Sequence, residues 1–355
     1  MSSDRPRVLV VAPNWLGDAV MALPAIADLK RHFGESRLIV AARAGVADLF
    51  QLAPVVDEVI RTTWRGEMFR PGALREDADR IRESGANLAV LLPNSFASGW
   101  LVRRAGIPER WGYATDVRTR LLTRAVPRPA GRRHQGEYYQ HLVHELGAQN
   151  GPLAPDLRVS DGEREAARAL LAARGWDGHS RLIALAPGAA YGKAKQWLPA
   201  HVVRLATALT RDGATCVLVG SRADAPTTRE IRAALPQNSA RAAIDLAGGT
   251  TLTELAGVLA LSRACVSNDS GAMHVAAALG TPVVALFGPT IEAETRPLTT
   301  PGGWARVLTS PAWCRPCMLR ECPLDHRCMS GITPDMVATA LGEIPSAPMQ
   351  DGFVR

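Results

Sequence analysis

The chain alternates short apolar runs with longer segments in which apolar and polar residues recur at helical spacing. The apolar runs occupy residues 8–12, 38–42, 88–92, 182–186, 216–219, 265–267 and 283–287. Continuous Val, Ile and Leu runs of this length are typical of parallel strands buried on both faces. The helical spacing predicts helices at residues 19–33, 200–211, 252–261 and 272–279. Strands that alternate with helices predict a doubly wound α/β fold.

The predicted strands fall into two sets. A polar, helix-rich stretch at residues 135–175 separates them and contains the turn-forming sequence Asn-Gly-Pro-Leu-Ala-Pro at 150–155. With 355 residues, the chain is also longer than one hydrophobic core usually organises. We therefore predict two doubly wound domains, at 1–165 and 178–340, and a C-terminal tail at 341–355. Open α/β sheets bind ligands at the carboxyl ends of their strands, so the cleft between the domains is the expected site.

Composition places the chain among globular proteins, with 47% hydrophobic and 21% charged residues. No run approaches the ~20 apolar residues of a membrane-spanning helix, and we expect a cytoplasmic protein without a signal peptide. The net charge of +7 indicates an anionic partner, which leaves nucleic acid, a membrane surface and a phosphorylated substrate open. Nine arginines lie between Arg103 and Arg133, against only two acidic residues. This segment is the candidate anion contact, although an ordinary solvated basic surface is the alternative.

The loop after the first predicted strand, residues 13–18, contains the first candidate for chemistry. It lacks the Gly-x-Gly-x-x-Gly pattern that binds a dinucleotide, so a nicotinamide-binding domain is disfavoured. Asp18 precedes the predicted helix at 19–33. A carboxylate that faces the cleft can accept a proton from an attacking hydroxyl. The alternative role for Asp18 is capping of the helix N-terminus.

The loop after the strand at 182–186 contains Gly188, Gly192, Lys193 and Lys195. It is not a P-loop, because only three residues separate the two glycines and Ala194 stands where that motif has Ser or Thr. A glycine-bearing turn with two lysines can still bind phosphate. A solvated surface turn is the alternative.

The segment 266–274 connects a predicted strand to the helix at 272–279. Backbone N–H groups at the start of that helix favour a diphosphate, and Gly271 permits its close approach. Asp269 would repel phosphate and is better suited to accept hydrogen bonds from sugar hydroxyls. Ser270 and His274 do not lie in the Gly-x-Ser-x-Gly pattern of hydrolases, which argues against hydrolysis. Two phosphate-suited loops in one domain predict a nucleoside-diphosphate ligand.

These segments together resemble a known family. The combination of Trp15-x-Gly17-Asp18, Leu-Pro-Asn-Ser-Phe at 92–96, Pro-Gly-Ala at 187–189 with Lys195-x-Trp197, and Ser-Asn-Asp-Ser-Gly-x-Met-His at 267–274 is similar to the lipopolysaccharide heptosyltransferases of glycosyltransferase family 9. The resemblance extends from residue 8 to about residue 289. It implies a GT-B fold and inverting transfer from ADP-L-glycero-β-D-manno-heptose with no metal cofactor. The Leu-Pro-Asn-Ser-Phe segment resembles the type II subgroup, which adds the second heptose to heptosyl-Kdo₂-lipid A.

The resemblance also implies roles for individual residues. Asp18 becomes the general base and Lys195 a phosphate ligand. The implied donor-binding set consists of Lys195, Asp269, Ser270, Gly271, Met273 and Gly188, with Asp224 at the ribose and Thr250 at the adenine. The basic segment supplies candidates for the phosphates and Kdo carboxylates of the acceptor, and the predicted acceptor-binding set consists of Asn94, Arg103, Arg104, Arg118 and Arg120. The acceptor is a lipid, so a peripheral position at the inner leaflet of the inner membrane is expected.

Four cysteines, Cys314, Cys317, Cys322 and Cys328, cluster near the C-terminus. In a cytoplasmic protein such thiols bind metals more often than they form disulfides. The spacing departs from a paired Cys-x₂-Cys signature, so a structural zinc or another thiolate-bound metal competes with free thiols in a loop. A metal here would not be catalytic.

Three alternative functions remain open from the sequence. The first is another transferase of the family, of type I or type III, with a different acceptor. The second is a sugar-nucleotide epimerase, which needs no acceptor surface. The third is a basic nucleic-acid-binding protein with a metal-bound cysteine cluster. Aromatic residues make up only 5% and no nucleic-acid-binding motif is present, so we expect no nucleic-acid partner.

Overall fold

The computed structural model describes residues 6–67 and 70–345, and residues 346–355 of the predicted tail lie outside that range. The first half contains β1 (Arg7–Val11), α1 (Leu16–Met21), α2 (Leu23–Phe33), β2 (Arg37–Arg43), α3 (Ala44–Ala47), β3 (Glu58–Thr62), α4 (Pro71–Glu83), β4 (Leu88–Leu91), α5 (Phe96–Arg104), β5 (Glu109–Tyr113), β6 (Arg124–Val126) and α6 (Gln135–Glu145). Short 3₁₀ helices lie at Asp48–Leu52 and Thr119–Leu121. All six strands are parallel, in the order β3-β2-β1-β4-β5-β6.

The second half repeats this arrangement. It contains α7 (Asp161–Ala172), β7 (Leu182–Ala186), α8 (Pro199–Arg211), β8 (Thr215–Leu218), α9 (Ala225–Ala234), α10 (Gln237–Arg241), β9 (Ala243–Asp245), α11 (Leu252–Leu261), β10 (Ala264–Asn268), α12 (Gly271–Ala278), β11 (Val283–Phe287), α13 (Glu292–Thr295), β12 (Ala305–Thr309), α14 (Arg327–Ser330) and α15 (Pro334–Gly342). A 3₁₀ helix spans Lys193–Lys195. The parallel order is β12-β11-β10-β7-β8-β9. The prediction of two doubly wound parallel sheets is confirmed, whereas the domain boundaries at 165 and 178 stay a prediction.

All seven predicted strands are present, and each lies in the interior of a sheet. The sequence pattern did not reveal β3, β5, β6, β9 and β12. Four of these are the outermost strands, and the fifth, β5, is next to an edge. They carry charged residues such as Glu58, Arg61 and Arg306, because an edge strand has a partly solvated side. An apolar run is therefore missing where a strand is not covered on both faces.

The helix predicted at residues 19–33 is two helices. α1 ends at Met21 and α2 begins at Leu23, with Pro24 in its first turn. Proline has no N–H to donate and its ring clashes with the carbonyl four residues before it, so one continuous helix is disfavoured. The short α1 is therefore a separate helix between the end of β1 and the start of α2.

The largest apolar cluster extends across both halves of the chain. It includes Val10 of β1, Leu49, Ala256 of α11 and Val275 of α12, all at most 1% exposed. α1 packs directly on α12, and α7 packs on α11. The connecting segment joins both sides, since the Leu157 N–H donates to the Ala278 carbonyl at 3.3 Å and the Arg158 N–H donates to the Leu52 carbonyl at 2.8 Å. The two sheets therefore meet through a shared core next to their strand ends.

Candidate active site

Each sheet has a topological switch point, where the chain connections that leave two neighbouring strands go to opposite faces of the sheet. In the first sheet this point lies between β1 and β4, and in the second between β7 and β10. Ligands of doubly wound folds bind there, beyond the carboxyl ends of the strands. The loops that follow these four strands carry Asp18, Asn94, Gly188 with Lys195, and Asp269. The four sequence motifs thus lie on the loops that this fold uses for binding.

Asp18 lies in the first turn of α1 and is half-buried. The N-cap residue is Trp15 and no side chain caps this helix, so Asp18 does not have the alternative capping role. The pKa of Asp18 is raised to about 6, because the effect of burial outweighs the lowering by Lys195 and is assisted by the negative charge of Asp269. Asp18 of the first half therefore shares one electrostatic environment with two residues of the second half. A carboxylate with this pKa is suited to accept a proton near neutral pH.

Lys195 and Asp269 form a nearly buried ion pair. The Lys195 Nζ lies 2.6 Å from Asp269 Oδ2, and their side chains are 12% and 5% exposed. The Thr290 hydroxyl donates to the same carboxylate oxygen at 2.7 Å. The other oxygen, Oδ1, has a long contact of 3.5 Å from the Thr295 hydroxyl. Asp269 thus keeps one oxygen, Oδ1, available for a further hydroxyl donor.

Asn268 holds the loop after β7 to the end of β10, and no sequence motif had assigned it a role. Its side-chain amide donates to the Pro187 carbonyl at 2.6 Å and its Oδ1 accepts from the Trp197 N–H at 3.1 Å. Asn268 is 1% exposed. A buried amide must satisfy its hydrogen bonds within the protein, so it fixes the loop after β7 to the end of β10. The sequence signal that could have identified this role is an asparagine at the end of an apolar strand.

The start of α12 meets the start of α1 at two glycines. A Cβ on Gly271 would lie 2.8 Å from the Leu16 side chain, and a Cβ on Gly17 would lie 2.9 Å from the His274 ring. His274 is 3% exposed, and burial lowers its pKa to about 4, so the ring is neutral. Glycine is therefore required at both positions, because the Leu16 and His274 side chains leave no room for a Cβ.

Other residues of the predicted donor set occupy different surroundings. Met273 is fully buried, so its side chain belongs to the core beneath the loop. The Ser270 hydroxyl lies 3.1 Å from that of Ser267. The Asp224 carboxylate accepts from the backbone N–H and the hydroxyl of Ser221, at 2.8 and 2.7 Å.

Asp224 also reaches the loop after β7. Its carboxylate fills the space that a Cβ on Gly188 would occupy. Thr250 is half-buried and immediately precedes Thr251, which caps α11. Asp224 and Gly188 are thus brought together beside the donor loops.

The acceptor-side predictions divide into a buried and an exposed group. Asn94 is half-buried and its side-chain amide donates to the Tyr138 hydroxyl at 2.9 Å. Arg103, Arg104 and Arg120 are exposed. Arg118, in contrast, is 0% exposed. These differences separate surface arginines that can reach a ligand from one that cannot.

The prediction that Arg118 binds the acceptor is corrected by its burial. Its guanidinium donates to the Pro93 carbonyl, to the Tyr113 carbonyl at 3.0 Å and to the Ser98 hydroxyl at 2.9 Å. Desolvation is costly for a buried cation, and burial lowers the pKa of Arg118 to about 10. Arg118 supports the Leu-Pro-Asn-Ser-Phe loop from beneath.

A cavity at the carboxyl ends of β1 to β4 adds two arginines that the sequence analysis missed. It is lined by Asn14, Arg43, Trp64, Arg65 and Ser95, among others. Burial and the nearby Arg65 lower the pKa of Arg43. Two guanidinium groups at one cavity form a site suited to carboxylate or phosphate. Each arginine stands alone in its sequence segment, so no motif marked the pair.

The cysteine cluster does not form a metal site in the described parts of the chain. Within residues 6–67 and 70–345, no three His, Cys, Asp or Glu side chains converge to hold a metal ion. Cys328 is buried, the other three thiols are half-buried, and all four are free. The hypothesis of a structural zinc or other metal at these cysteines is therefore not supported.

Comparison with known proteins now decides the family. The family model described as glycosyltransferase family 9 (heptosyltransferase) matches residues 75–327. Lipopolysaccharide heptosyltransferase 2 of Salmonella typhimurium is 33% identical over 312 residues, which cover 85% of this chain and 88% of that protein. The chain belongs to glycosyltransferase family 9. The protein of the same name from Escherichia coli is 34% identical with the same coverage.

A solved structure extends the comparison to the fold of this family 9 enzyme. The structure of Escherichia coli ADP-heptose lipopolysaccharide heptosyltransferase II matches with a TM-score of 0.80 and 32% identity, over 94% of this chain and 98% of that one. The predictions of a GT-B fold and of a glycosyltransferase are confirmed. Across the described ranges, no helix of the enzyme is long and apolar enough to cross a membrane.

Proposed function

We propose that this enzyme transfers L-glycero-D-manno-heptose from ADP-heptose to the first heptose of heptosyl-Kdo₂-lipid A, with inversion at the anomeric carbon. The observation that carries the proposal is the position of Asp18. This carboxylate, with a pKa of about 6, shares its environment with the Lys195–Asp269 pair of the opposite half. A base on one side of the cleft and a diphosphate site on the other are the two parts that such a transfer requires.

The chemistry follows from this separation. Asp18 accepts the proton of an acceptor hydroxyl while that oxygen forms a bond to the anomeric carbon of the donor. The bond between the anomeric carbon and the diphosphate oxygen breaks at the same time, and ADP leaves with the electron pair. Lys195 and the N–H groups at the start of α12 stabilise the charge that develops on the diphosphate. Asp269 binds sugar hydroxyls through its available oxygen, Oδ1.

The ends of the nucleotide have separate contacts in this proposal. Gly188 contributes to the diphosphate site through its backbone, while the space left by its missing side chain is filled by the Asp224 carboxylate. Asp224, adjacent to Gly188, binds the ribose, and Thr250 lies at the adenine. The close contact of Gly188 with the Asp224 carboxylate supports a continuous path from phosphate to ribose. Ser270 and Gly271 contribute to the donor loop, and the buried Met273 shapes it from the core side.

The acceptor lies against the first half of the chain. Arg103, Arg104 and Arg120 are exposed and can meet its phosphates and Kdo carboxylates. The cavity with Arg43 and Arg65 opens at the strand ends near the Asp18 loop and provides a second anionic contact. The alternatives of a type I or type III enzyme differ in the acceptor, so they share the donor contacts and are distinguished by the acceptor used.

Peripheral contact with the inner leaflet, from the cytoplasmic side, is part of the proposal. α5 presents Phe96 and Trp100, whose rings stack at 6.3 Å and are 43% and 37% exposed. Arg103 and Arg104 are exposed on the same helix. Aromatic side chains next to basic ones favour an anionic membrane surface. Sedimentation with anionic vesicles should fall for Trp100→Ser and remain for Trp313→Ser, a control that is 76% exposed elsewhere.

The decisive experiment measures ADP release from ADP-heptose. We expect release with heptosyl-Kdo₂-lipid A, much less with Kdo₂-lipid A, and no loss of rate when a chelator removes divalent metal. Asp18→Asn should lower the rate by at least ~10²-fold. Asp156→Asn, a change at an exposed carboxylate in the connecting segment, serves as the matched control.

Other outcomes would separate the parts of the proposal. Equal or faster release with Kdo₂-lipid A would assign a type I acceptor. Release that survives Asp18→Asn would remove the proposed base while leaving the family intact. Consumption of the sugar nucleotide without any acceptor would favour an epimerase.

A further inference from the structure

The cysteine-bearing segment, residues 311–328, packs against the turn that carries Lys195. The Ala194 N–H donates to the Arg320 carbonyl at 2.9 Å, and the Tyr191 hydroxyl donates to the Met318 carbonyl at 2.8 Å. At the other side of the segment, the Arg315 guanidinium donates to the Gly288 carbonyl at 2.7 Å. These bonds hold the segment between the loops that follow β7 and β11.

Gly192 allows this contact. Any Cβ at Gly192 would overlap the backbone carbonyl of Arg320. The neighbour is backbone and not the end of a flexible side chain, so it cannot move aside cheaply. The sequence of the turn thus requires residue 320 to lie beside it.

Two cations contact one aromatic ring. The Lys195 Nζ is 4.8 Å from the centre of the Tyr191 ring, and the Arg320 guanidinium carbon is 5.2 Å from the same centre. The two positive groups are therefore at most about 10 Å apart, both within cation–π range of Tyr191. Like charges held this close favour an anion that contacts both.

The charge of Lys195 alone does not balance a diphosphate. Lys195 is already paired with Asp269 at 2.6 Å. The turn offers no side-chain hydroxyl at Ala189 or Ala190. Arg320 is exposed, and no carboxylate in the described ranges forms an ion pair with it. Its guanidinium is thus available to an incoming anion.

We infer that Arg320 is a further binding residue for the diphosphate of the donor nucleotide, and that the cysteine-bearing segment serves to present it. This inference rests on the proposed function, because it places the diphosphate at the Lys195 turn. A guanidinium binds two phosphate oxygens at once, and its charge opposes the negative charge that ADP gains when the sugar leaves. The segment then contributes to donor binding through an arginine and not through a metal.

The test is a competition titration of ADP and of adenosine against the full chain. Arg320→Gln should weaken ADP binding by at least about tenfold, and Arg320→Lys by less. Adenosine has no phosphate, so its affinity should stay the same. Arg327→Gln is the matched control, because Arg327 is an exposed arginine of the same segment that stands over Trp313 and pairs with Asp325. We expect its ADP affinity to equal that of the wild type.

The outcomes distinguish this inference from the proposed function. ADP affinity of Arg320→Gln within about twofold of the wild type would overturn the inference and leave the function untouched. An equal loss for ADP and adenosine would also overturn it, since the variant would then act by loosening the fold. If the wild type itself bound no ADP, the donor assignment would fail, and the role of Arg320 with it.

Discussion

Lowering the pH from 7 to 5 tests the assignment of Asp18 as the base. Burial raises the pKa of this carboxyl to about 6 from an ordinary 3.8. Only the carboxylate accepts a proton, so kcat/KM falls as the pH falls through about 6. For a single group with this pKa, roughly nine-tenths is carboxylate at pH 7 and roughly one-tenth at pH 5. We therefore expect an approximately tenfold lower kcat/KM at pH 5. A carboxyl group with the ordinary pKa of 3.8 would leave kcat/KM nearly unchanged between pH 7 and 5.

The neighbouring His274 does not interfere with this measurement. Burial lowers the pKa of His274 to about 4, so its ring is neutral over the interval in which Asp18 titrates. Burial also lowers the pKa of His134. The remaining concern is loss of folded protein at low pH, which circular dichroism at each pH detects independently of the rate.

The assay is the initial rate of ADP release at low concentrations of both substrates, from pH 5 to 8 at constant ionic strength. Under these conditions kcat/KM reports the groups of the free enzyme. Asp18→Asn should lose both the rate and the acid limb, whereas Asp156→Asn should keep them. A flat profile between pH 5 and 7 in folded protein would refute the reasoning. So would an unchanged limb near pH 6 in Asp18→Asn.

Three further changes probe the site. Gly17→Ala places a Cβ 2.9 Å from the His274 ring. The resulting displacement of the Asp18 loop should lower kcat by ~10²-fold in steady-state kinetics. The double variant Gly17→Ala/His274→Ala should recover part of the lost kcat. Arg118→Leu leaves the carbonyls beneath the Leu-Pro-Asn-Ser-Phe loop unpaired and should cost about 2–4 kcal/mol in urea unfolding, against no change for exposed Arg120→Leu. Replacing Arg103 and Arg104 together by Gln should raise the acceptor KM and leave the donor KM alone; an unchanged acceptor KM would remove them from the acceptor site.

The sequence by itself determined the fold class and the centre of each sheet. Central strands such as β1 and β10 are covered on both faces and are apolar over most of their length, so a continuous apolar run marks them. Edge strands such as β3 and β12 are not covered in this way, and their mixed sequences carry no equally clear signal. The family could also be recognised from the sequence, because each of its motifs is a contiguous segment of the chain.

Tertiary structure decided which of the candidate side chains meet. Lys195 and Asp269 are 74 residues apart in the chain, yet they lie 2.6 Å apart because β7 and β10 are neighbours in the sheet. Arg43 and Arg65 share a cavity for a similar reason, since β2 and β3 are paired. Such pairs depend on strand order, which hydrophobic periodicity does not specify.

Burial was the other property that only the tertiary structure decided. Arg118 and Arg120 are two residues apart in the same basic segment, but one is fully buried and the other exposed. The difference arises because two of the carbonyls that accept from Arg118 belong to Pro93 and Ser95, more than 20 residues earlier in the chain. A guanidinium can leave water only where distant backbone groups replace its hydration, and the sequence around it does not record whether they do.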